Sequence, residues 1–326
     1  MTGDPVTAII TVDLGGTTIK GALIDVDGRT HALSTVPTFA PNGSDALAGL
    51  QRVLDTLVIQ ARKHGLRVEG AGIVVPGIVS EAGEVAFSAN LGWRNLPVRA
   101  LIEQRLNMPV AIGHDVSAAG LAESLFGAAL GQTHFVMVTI GTGIAACLMS
   151  DGQLIRGIGN GAGEIGHVPV LPDGEICACG QRGCMEAYAS AASIARRYRA
   201  LGGCRAETAA EISTLLGTDP VADLVWDDAI RALSLGLATA TMMLDPALIV
   251  LGGGLSLAGG VLLDPLRNAL STLLVWRSPP PLAVSPLGAD AGRIGAAILG
   301  YRAIGRDEAI QDWNRDALLT PPVRAI

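Results

Sequence analysis

The sequence predicts an α/β protein of about two domains, on the basis of its length, its composition and its apolar segments that end in glycine turns. The 326 residues are 49% hydrophobic and only 16% charged, which is sufficient for a buried core. Aromatic residues supply 3% of the chain, so Ala, Val, Leu and Ile must fill that core. The 42 glycines allow the tight turns and close backbone approaches of compact α/β packing.

The charge pattern argues against several classes of function. A net charge of −7 without any basic run disfavours a large nucleic-acid surface, because such surfaces need clustered Lys and Arg. Residues 1–11 have neither a basic segment nor a long apolar one, so we expect no secretory signal and a cytoplasmic protein. Residues 124–150 are uncharged, but glycines interrupt them and residues 135–140 have the pattern of a buried strand. We therefore expect no membrane span.

Three of the five cysteines lie close together in the sequence and predict a metal site. Cys177, Cys179 and Cys184 come after His167, which lies ten residues before the first of them. One imidazole and three thiolates are the ligands of a closed tetrahedral zinc site. Because four protein ligands leave no open coordination position, we expect a structural zinc. The alternative is that these cysteines are simply reduced and exposed to solvent.

The first apolar segment leads into a turn with residue types that bind phosphate. Residues 8–12 and 21–25 predict the strands of a β-hairpin, with residues 13–20 at the bend. Glycines let the backbone approach a polyphosphate, hydroxyl and amide groups donate hydrogen bonds, and Asp13 can hold Mg²⁺ directly or through water. The bend is not a Walker loop, because no Gly-Lys-Ser/Thr ending precedes a helix. The candidate phosphate-binding residues are Gly15, Gly16, Thr17, Thr18 and Lys20.

Two later segments repeat the design of a strand followed by a glycine turn. Residues 136–140 precede the first turn and residues 249–251 precede the second. We expect the first to grip phosphate from the opposite side and the second to accommodate adenine and ribose, since α/β folds bind ligands where strands end. The alternatives are an ordinary hairpin and a tight strand-to-helix turn. The turn residues are Gly141, Thr142 and Gly143, then Gly252, Gly253 and Gly254.

In this order, the motifs resemble the ROK family of sugar kinases and sugar-responsive regulators, within the actin-like ATPase superfamily. The resemblance covers nearly the whole chain. It implies an α/β, two-lobed actin-like ATPase (ribonuclease H-like) fold with mixed sheets and a zinc-binding loop, and a homodimer. The implied small lobe is residues 1–113 plus 293–326, with a returning C-terminal helix, and the large lobe is residues 114–292. The resemblance rests on residues 13–20, 75–77, 89–91, 114–115, 141–143, 163–167 and 251–254, and on the cysteine cluster with Glu186.

The resemblance implies a kinase that uses ATP and Mg²⁺ to phosphorylate the 6-hydroxyl of an aldohexose, with zinc (Zn²⁺) supporting the sugar site. Asp115 matches the family's catalytic base, and the apolar residues 108–112 before it predict a carboxylate at a strand end. His167 matches a residue that binds zinc through one ring nitrogen and the sugar through the other. The matched sugar-binding residues are Gly77, Asn90, His114, Asp115, Glu164, His167 and Glu186.

The sequence departs from the family pattern around the base, where the usual Asn-Asp-x-Asn reads His114-Asp-Val-Ser117. Imidazole is bulkier than an amide, donates through one nitrogen when neutral, and has an ordinary pKa of about 6.5. The sequence therefore leaves the sugar open between glucose, which we favour, and N-acetylglucosamine or N-acetylmannosamine. The use of polyphosphate in place of ATP is also open.

A sugar sensor without catalytic activity is the alternative from a different functional class. Regulators of the family carry a helix-turn-helix segment before the first phosphate turn, whereas twelve residues without a basic helix precede Asp13 here. We therefore expect an enzyme rather than a regulator that binds DNA. A sensor that acts through a protein partner stays open.

Overall fold

The computed structural model describes residues 5–39 and 45–320, which form two compact units. The first unit lies within Met1–Gly127, Gly157–Asn160 and Asp290–Ile326, and the second unit is Ala128–Arg156 with Gly161–Ala289.

The first unit begins with a segment that contains more strands than helices. The first of these helices has clear sequence signals at both ends. The side chain of Asp45 accepts a hydrogen bond from the Ala48 amide at the start of the first helix, and Arg62 and Lys63 lie in its last turn. The strands are β1 (Val6–Leu14), β2 (Thr18–Asp25), β3 (Thr30–Pro37), β4 (Leu66–Val75), β5 (Ile78–Val79), β6 (Val85–Ser88), β7 (Trp93–Leu96) and β8 (Val110–His114), and the helices are α1 (Ala46–Lys63), α2 (Val98–Leu106) and α3 (Asp115–Phe126).

The second unit contains the longest helix among the described residues. Asp219 caps this helix, and Pro220 occupies its first turn, where its missing N–H costs no hydrogen bond. The strands are β9 (Phe135–Ile140), β10 (Ile144–Ser150), β11 (Gln153–Leu154), β12 (Leu248–Gly252) and β13 (Leu282–Val284); the helices are α4 (Glu186–Ala189), α5 (Ala191–Ala200), α6 (Ala209–Ser213), α7 (Pro220–Leu244) and α8 (Gly260–Leu273), with 3₁₀ turns at Ile165–His167 and Gly254–Ala258.

The chain returns to the first unit with its last helices. They are α9 (Ala291–Ala303), preceded by a 3₁₀ turn at Gly288–Asp290, α10 (Asp307–Gln311) and α11 (Arg315–Leu319). Helix α9 packs on β4, β1 and β8.

The main sheet of the first unit is mixed, in the order β3-β2-β1-β4-β8. Strands β1, β2 and β3 are antiparallel neighbours, whereas β4 runs parallel to β1 and β8 runs parallel to β4. Ile73 and Val75 of β4 pack in the cluster with α1 and α2, and Val74 between them packs with α3 and α9. Since successive side chains of a strand point to opposite faces, helices cover this sheet on both sides.

The main sheet of the second unit repeats the same pairing scheme, in the order β11-β10-β9-β12-β13. Strands β9 and β10 form an antiparallel hairpin, as β1 and β2 do in the first unit. Strand β12 runs parallel to β9, as β4 runs parallel to β1. The two glycine turns that echo each other in the sequence therefore follow equivalent strands. Helices α4, α5, α7 and α8 share one apolar cluster with β9 and β12.

The division between the units differs from the boundary expected between residues 113 and 114. Helix α3 belongs to the first unit, because it packs closely on α9. A Cβ at Gly295 of α9 would collide with the backbone of Ala118 in α3, so the two helices meet with almost no side chain between them. Asp115 therefore lies in the first unit, which extends to Gly127.

Among the described residues, no helix combines the length and the apolar character needed to cross a membrane. The uncharged residues 124–150 contribute instead to the end of α3, to β9 and to β10.

Because α9 lies very close to β4, we expect a single added methyl group to lower the stability of the protein strongly. A Cβ at Gly72 would collide with the carbonyl oxygen of Ala296. We expect Gly72→Ala to lower the free energy of unfolding by about 3 kcal/mol or more, since neither backbone can move aside without disturbing the packing. Gly159→Ala is the matched control, because a Cβ there meets open space. Urea denaturation of both variants checks this, and equal stabilities would contradict the packing described.

Candidate active site

The turn between β1 and β2 carries the first predicted phosphate-binding residues. Strand pairing places Asp13 opposite Lys20. The amide of Gly15 donates to the carbonyl oxygen of Thr18 over 2.9 Å, and the hydroxyl of Thr38 donates to the carbonyl oxygen of Gly15 over 2.6 Å. The turn is thus held in shape by its own backbone and by the residue that follows β3.

The same turn approaches Asn90, a predicted sugar-binding residue in the loop between β6 and β7. A Cβ at Gly16 would lie 3.4 Å from the Cβ of Asn90, so a larger residue at this position would press on the loop. The nearby Gly77 has φ of +110°, and a Cβ there would collide with the carbonyl oxygen of Phe87. The structure therefore brings the β1–β2 turn and Asn90 together, and the backbone at position 77 requires glycine.

Several charges gather at the end of β1. Burial, and then the negative charges of Asp115 and Asp290, raise the pKa of Asp13 to about 7, while Lys20 opposes this shift. A Cβ at Gly292 would lie 2.5 Å from Oδ2 of Asp13, so α9 begins directly beside this carboxylate. A partly buried carboxylate crowded by other carboxylates favours a hard cation with oxygen ligands, so the residues present fit Mg²⁺.

Sequence reasoning missed Asp290 as a member of this group. It follows Gly288 and Ala289 and stands directly before α9, a pattern that also describes an ordinary helix N-terminus. Its side chain accepts a hydrogen bond from Nε of Arg293 over 3.0 Å. Only the contact of α9 with β1 brings Asp290 close enough to Asp13 to raise its pKa, so no local signal in the sequence identifies it.

Asp115 begins α3, directly after β8, as expected for a carboxylate at a strand end. Its Oδ1 accepts a hydrogen bond from the Val116 amide over 2.7 Å. His114 forms the N-cap of α3, because its Nδ1 accepts from the Ser117 amide over 3.3 Å. Its other ring nitrogen, Nε2, lies 3.3 Å from Oδ1 of Asp115. The two residues that depart from the family pattern, His114 and Ser117, therefore contact each other.

In the second unit, Glu186 lies against the glycine turn between β9 and β10. Its Oε2 accepts a hydrogen bond from the Ile144 amide over 2.7 Å, and a Cβ at Gly143 would lie 2.6 Å from the same oxygen. The amide of Ala191 donates to the carbonyl oxygen of Gly141 over 2.8 Å. A predicted sugar-binding residue and a predicted phosphate turn are thus in direct contact, and Gly143 leaves the space that the carboxylate occupies.

The third glycine turn lies at the same sheet edge as the second. Gly252 ends β12, which runs parallel to β9, so the turns after these two strands are neighbours. Gly253 has φ of +79°, and a Cβ there would lie 2.5 Å from the carbonyl oxygen of Ile140. Gly254 begins a 3₁₀ turn and a Cβ there meets open space. Gly252 is buried, whereas Gly253 and Gly254 are exposed at the carboxyl end of the sheet.

The predicted zinc ligands converge in the second unit. The candidate ligand atoms of His167, Cys177, Cys179 and Cys184 all lie within 4.8 Å of one another. The Sγ atoms of Cys179 and Cys184 are 3.7 Å apart, and Nδ1 of His167 is 3.8 Å from Sγ of Cys177. A tetrahedral zinc with Zn–S bonds of about 2.3 Å requires sulfur atoms about 3.8 Å apart. The cluster therefore fits zinc in ligand type and in spacing.

The orientation of His167 links this cluster to Glu164. His167 closes the 3₁₀ turn at Ile165–His167 and directs Nδ1 towards Cys177. Its Nε2 lies 4.0 Å from Oε2 of Glu164. One ring nitrogen thus faces the thiols while the other faces a predicted sugar-binding carboxylate, which is the arrangement that a dual role of His167 requires.

Comparisons with known proteins identify relatives along most of the chain. The profile of the ROK family matches residues 9–303. A glucokinase from Streptomyces coelicolor is 31% identical over 314 residues, which cover 89% of this chain and 96% of that protein. An N-acetylmannosamine kinase from Shigella flexneri is 34% identical over 300 residues, covering 89% and 97%.

Two solved structures support the same assignment at the level of the fold. A ROK family glucokinase from Streptomyces griseus, in complex with glucose and AMPPNP, superimposes with a TM-score of 0.78 at 32% identity, covering 90% of this chain and 99% of that one. A ROK family transcriptional regulator, a homologue of the E. coli MLC protein, has a TM-score of 0.80 at 25% identity, covering 98% and 81%. The chain belongs to the ROK family, and it has the α/β fold with mixed sheets of the actin-like ATPases.

Proposed function

We propose that the chain is a sugar kinase that transfers the γ-phosphoryl group of ATP to the 6-hydroxyl of an aldohexose, with glucose as the preferred substrate. The observation that carries this proposal is Asp115, a carboxylate held at the start of α3 and close enough to Asp13 at the phosphate turn to raise its pKa. The similarity to a glucokinase that binds glucose and AMPPNP supports it.

In the proposed reaction, Asp115 acts as the general base. It accepts the proton of the 6-hydroxyl while that oxygen forms a bond to the γ-phosphorus, and the bond from this phosphorus to the leaving oxygen of ADP breaks. The Val116 amide holds Oδ1 of Asp115 in place. A general base on a rigid helix end needs little reorientation, which favours proton transfer at a fixed geometry.

The glycine turns are the proposed nucleotide-binding elements. Backbone amides and hydroxyls of the β1–β2 turn, together with Lys20, would bind phosphate oxygens, and Asp13 would hold Mg²⁺ directly or through water. Bound Mg²⁺ neutralises developing charge on the phosphate oxygens. The proposed nucleotide-binding residues are Gly15, Gly16, Thr17, Thr18 and Lys20 of the first unit, and Gly141, Thr142, Gly143, Gly252, Gly253 and Gly254 of the second.

Sugar-binding residues are proposed for each unit separately, from the family resemblance. Asn90 offers an amide in the first unit, whereas Glu164 and Glu186 offer carboxylates in the second. We assign zinc to the cysteine cluster, where it would fix the ring of His167 and leave Nε2 to donate to the sugar. The metal would then position a substrate-binding residue without taking part in phosphoryl transfer.

N-acetylglucosamine or N-acetylmannosamine is the alternative substrate, and a sugar sensor is the alternative function. The N-acetylmannosamine kinase that is 34% identical to this chain supports the alternative substrate. The similar structure of a transcriptional regulator supports the alternative function. Homodimer assembly stays a prediction from the family resemblance. The use of polyphosphate in place of ATP stays a question that the sequence raises.

A substrate panel tests the proposal directly. We expect magnesium- and ATP-dependent phosphorylation of glucose to be faster than that of mannose, fructose, N-acetylglucosamine or N-acetylmannosamine, measured on zinc-replete protein. A faster reaction with an N-acetylated sugar would reassign the substrate. Sugar binding without turnover of any sugar would instead favour the sensor.

Removal of the charge on Asp115 tests its role as the base. We expect Asp115→Asn to lower kcat by about 10²–10⁴-fold, because the amide cannot accept the hydroxyl proton. Sugar affinity, measured by calorimetry, should stay within several-fold of the wild type. Asp55→Asn, at an exposed carboxylate that pairs with Arg105, serves as the control with unchanged kcat. Near-normal turnover of Asp115→Asn would remove Asp115 from the mechanism.

Loss of a zinc ligand should weaken sugar binding through His167. We expect Cys179→Ser to lose most of its zinc and to bind sugar about tenfold more weakly, since outer contacts of this kind typically contribute 10–100-fold. Elemental analysis and calorimetry give the two readouts. Cys204→Ser, at an exposed cysteine outside the cluster, should retain both properties. A wild-type protein without zinc would overturn this account.

A further inference from the structure

The residue before the proposed base makes contacts that a conventional sugar-binding role does not require. Nδ1 of His114 lies 3.3 Å from the Ser117 amide nitrogen and 3.2 Å from the Ser117 hydroxyl, while Nε2 lies 3.3 Å from Oδ1 of Asp115. The ring is largely enclosed, with 16% of the side chain exposed. The imidazole thus bridges the first turn of α3 and the proposed base.

These contacts select one tautomer of the neutral ring. A backbone amide can only donate, so Nδ1 must present its lone pair to the Ser117 N–H. The proton of the neutral imidazole then resides on Nε2, the nitrogen that lies close to Asp115. The helix cap and the contact with the carboxylate are therefore coupled through one ring.

The contacts of Asp115 place both donors on the same oxygen. The Val116 amide lies 2.7 Å from Oδ1, and Nε2 of His114 lies 3.3 Å from it. A carboxylate that receives two donors at one oxygen is restrained about its χ2 torsion, which leaves Oδ2 in a defined direction. Catalytic contacts of this length commonly shorten once a substrate is bound.

We propose that His114 is a positioning residue for phosphoryl transfer: its Nε2–H, fixed by the Ser117 cap, orients Asp115 so that Oδ2 receives the proton of the sugar hydroxyl. The inference rests on the proposed sugar kinase activity. It gives His114 a role different from the ring-hydroxyl contact implied by the family asparagine. The exchange of two family asparagines for His114 and Ser117 then forms one unit, because each residue supports the other.

Two substitutions separate the cap from the contact with Asp115. The amide oxygen of Asn can replace Nδ1 as a helix cap but cannot reach the position of Nε2, whereas the longer Gln can place an N–H near Asp115 and is a poor cap. We expect His114→Asn to lower kcat about tenfold or more, with sugar KM changed by less and with Tm close to the wild-type value. We expect His114→Gln to keep kcat within about threefold while Tm falls.

A second histidine provides a matched control. His31 also contacts an aspartate, with Nε2 2.6 Å from Oδ2 of Asp25, in the same unit but away from the proposed site. We expect His31→Asn to leave kcat unchanged. A general sensitivity of the enzyme to the loss of a His–Asp pair would lower kcat in this variant as well.

The readouts distinguish the inference from the function on which it rests. Wild-type protein that phosphorylates no sugar would end both. Wild-type activity together with full kcat in His114→Asn, or a kcat that follows Tm across both variants, would overturn the positioning role alone. The ¹⁵N chemical shifts of His114 in the full chain provide an independent check: we expect an unprotonated Nδ1 and a protonated Nε2, and the reverse tautomer would contradict the inference.

Discussion

The arrangement of the first unit depends on the close contact of helix α9 with strand β4. Gly72 of the strand and Gly300 of the helix leave no Cβ between the two backbones, and Gly295 allows α3 to approach the same helix. This contact brings the start of α9 to the end of β1 and therefore carries Asp290 to Asp13. Glycines weaken isolated helices and strands, so their presence here reflects the gain from packing backbones closely.

The crowding of carboxylates that results has an energetic cost and a use. Burial and the charges of Asp115 and Asp290 raise the pKa of Asp13 to about 7, so the folded protein disfavours full ionisation of this group. A divalent cation would reduce the repulsion between these carboxylates, so the site suits the binding of a magnesium–nucleotide complex. Lys20, opposite Asp13 in the hairpin, offsets part of the repulsion without that cation.

The second unit has the same strand-pairing scheme as the first unit. Its glycine turns follow β9 and β12, two parallel strands whose carboxyl ends share one edge of the sheet. The cysteine cluster lies in an irregular segment, where a metal with four ligands would replace the apolar core that such a short segment cannot build. His167 then connects the cluster to Glu164, so the proposed structural metal and the proposed sugar site share a residue.

Features that depend on short spacing along the chain were predictable from the residues alone. The hairpin turns, the grouping of His167 with the three cysteines and the carboxylate at the end of β8 were all predicted, because the chemistry of each lies within a few residues or in one recognisable motif. The groups that come together from distant segments follow from the packing of the chain: Asp290 near Asp13, Glu186 against Gly143, and α3 within the first unit. The tertiary structure also decided that His114 and Ser117 form a pair, since a residue pattern does not show which ring nitrogen faces the helix. These contacts join segments that are far apart along the chain or depend on side-chain direction, and only the packing of helices on the two sheets determines both.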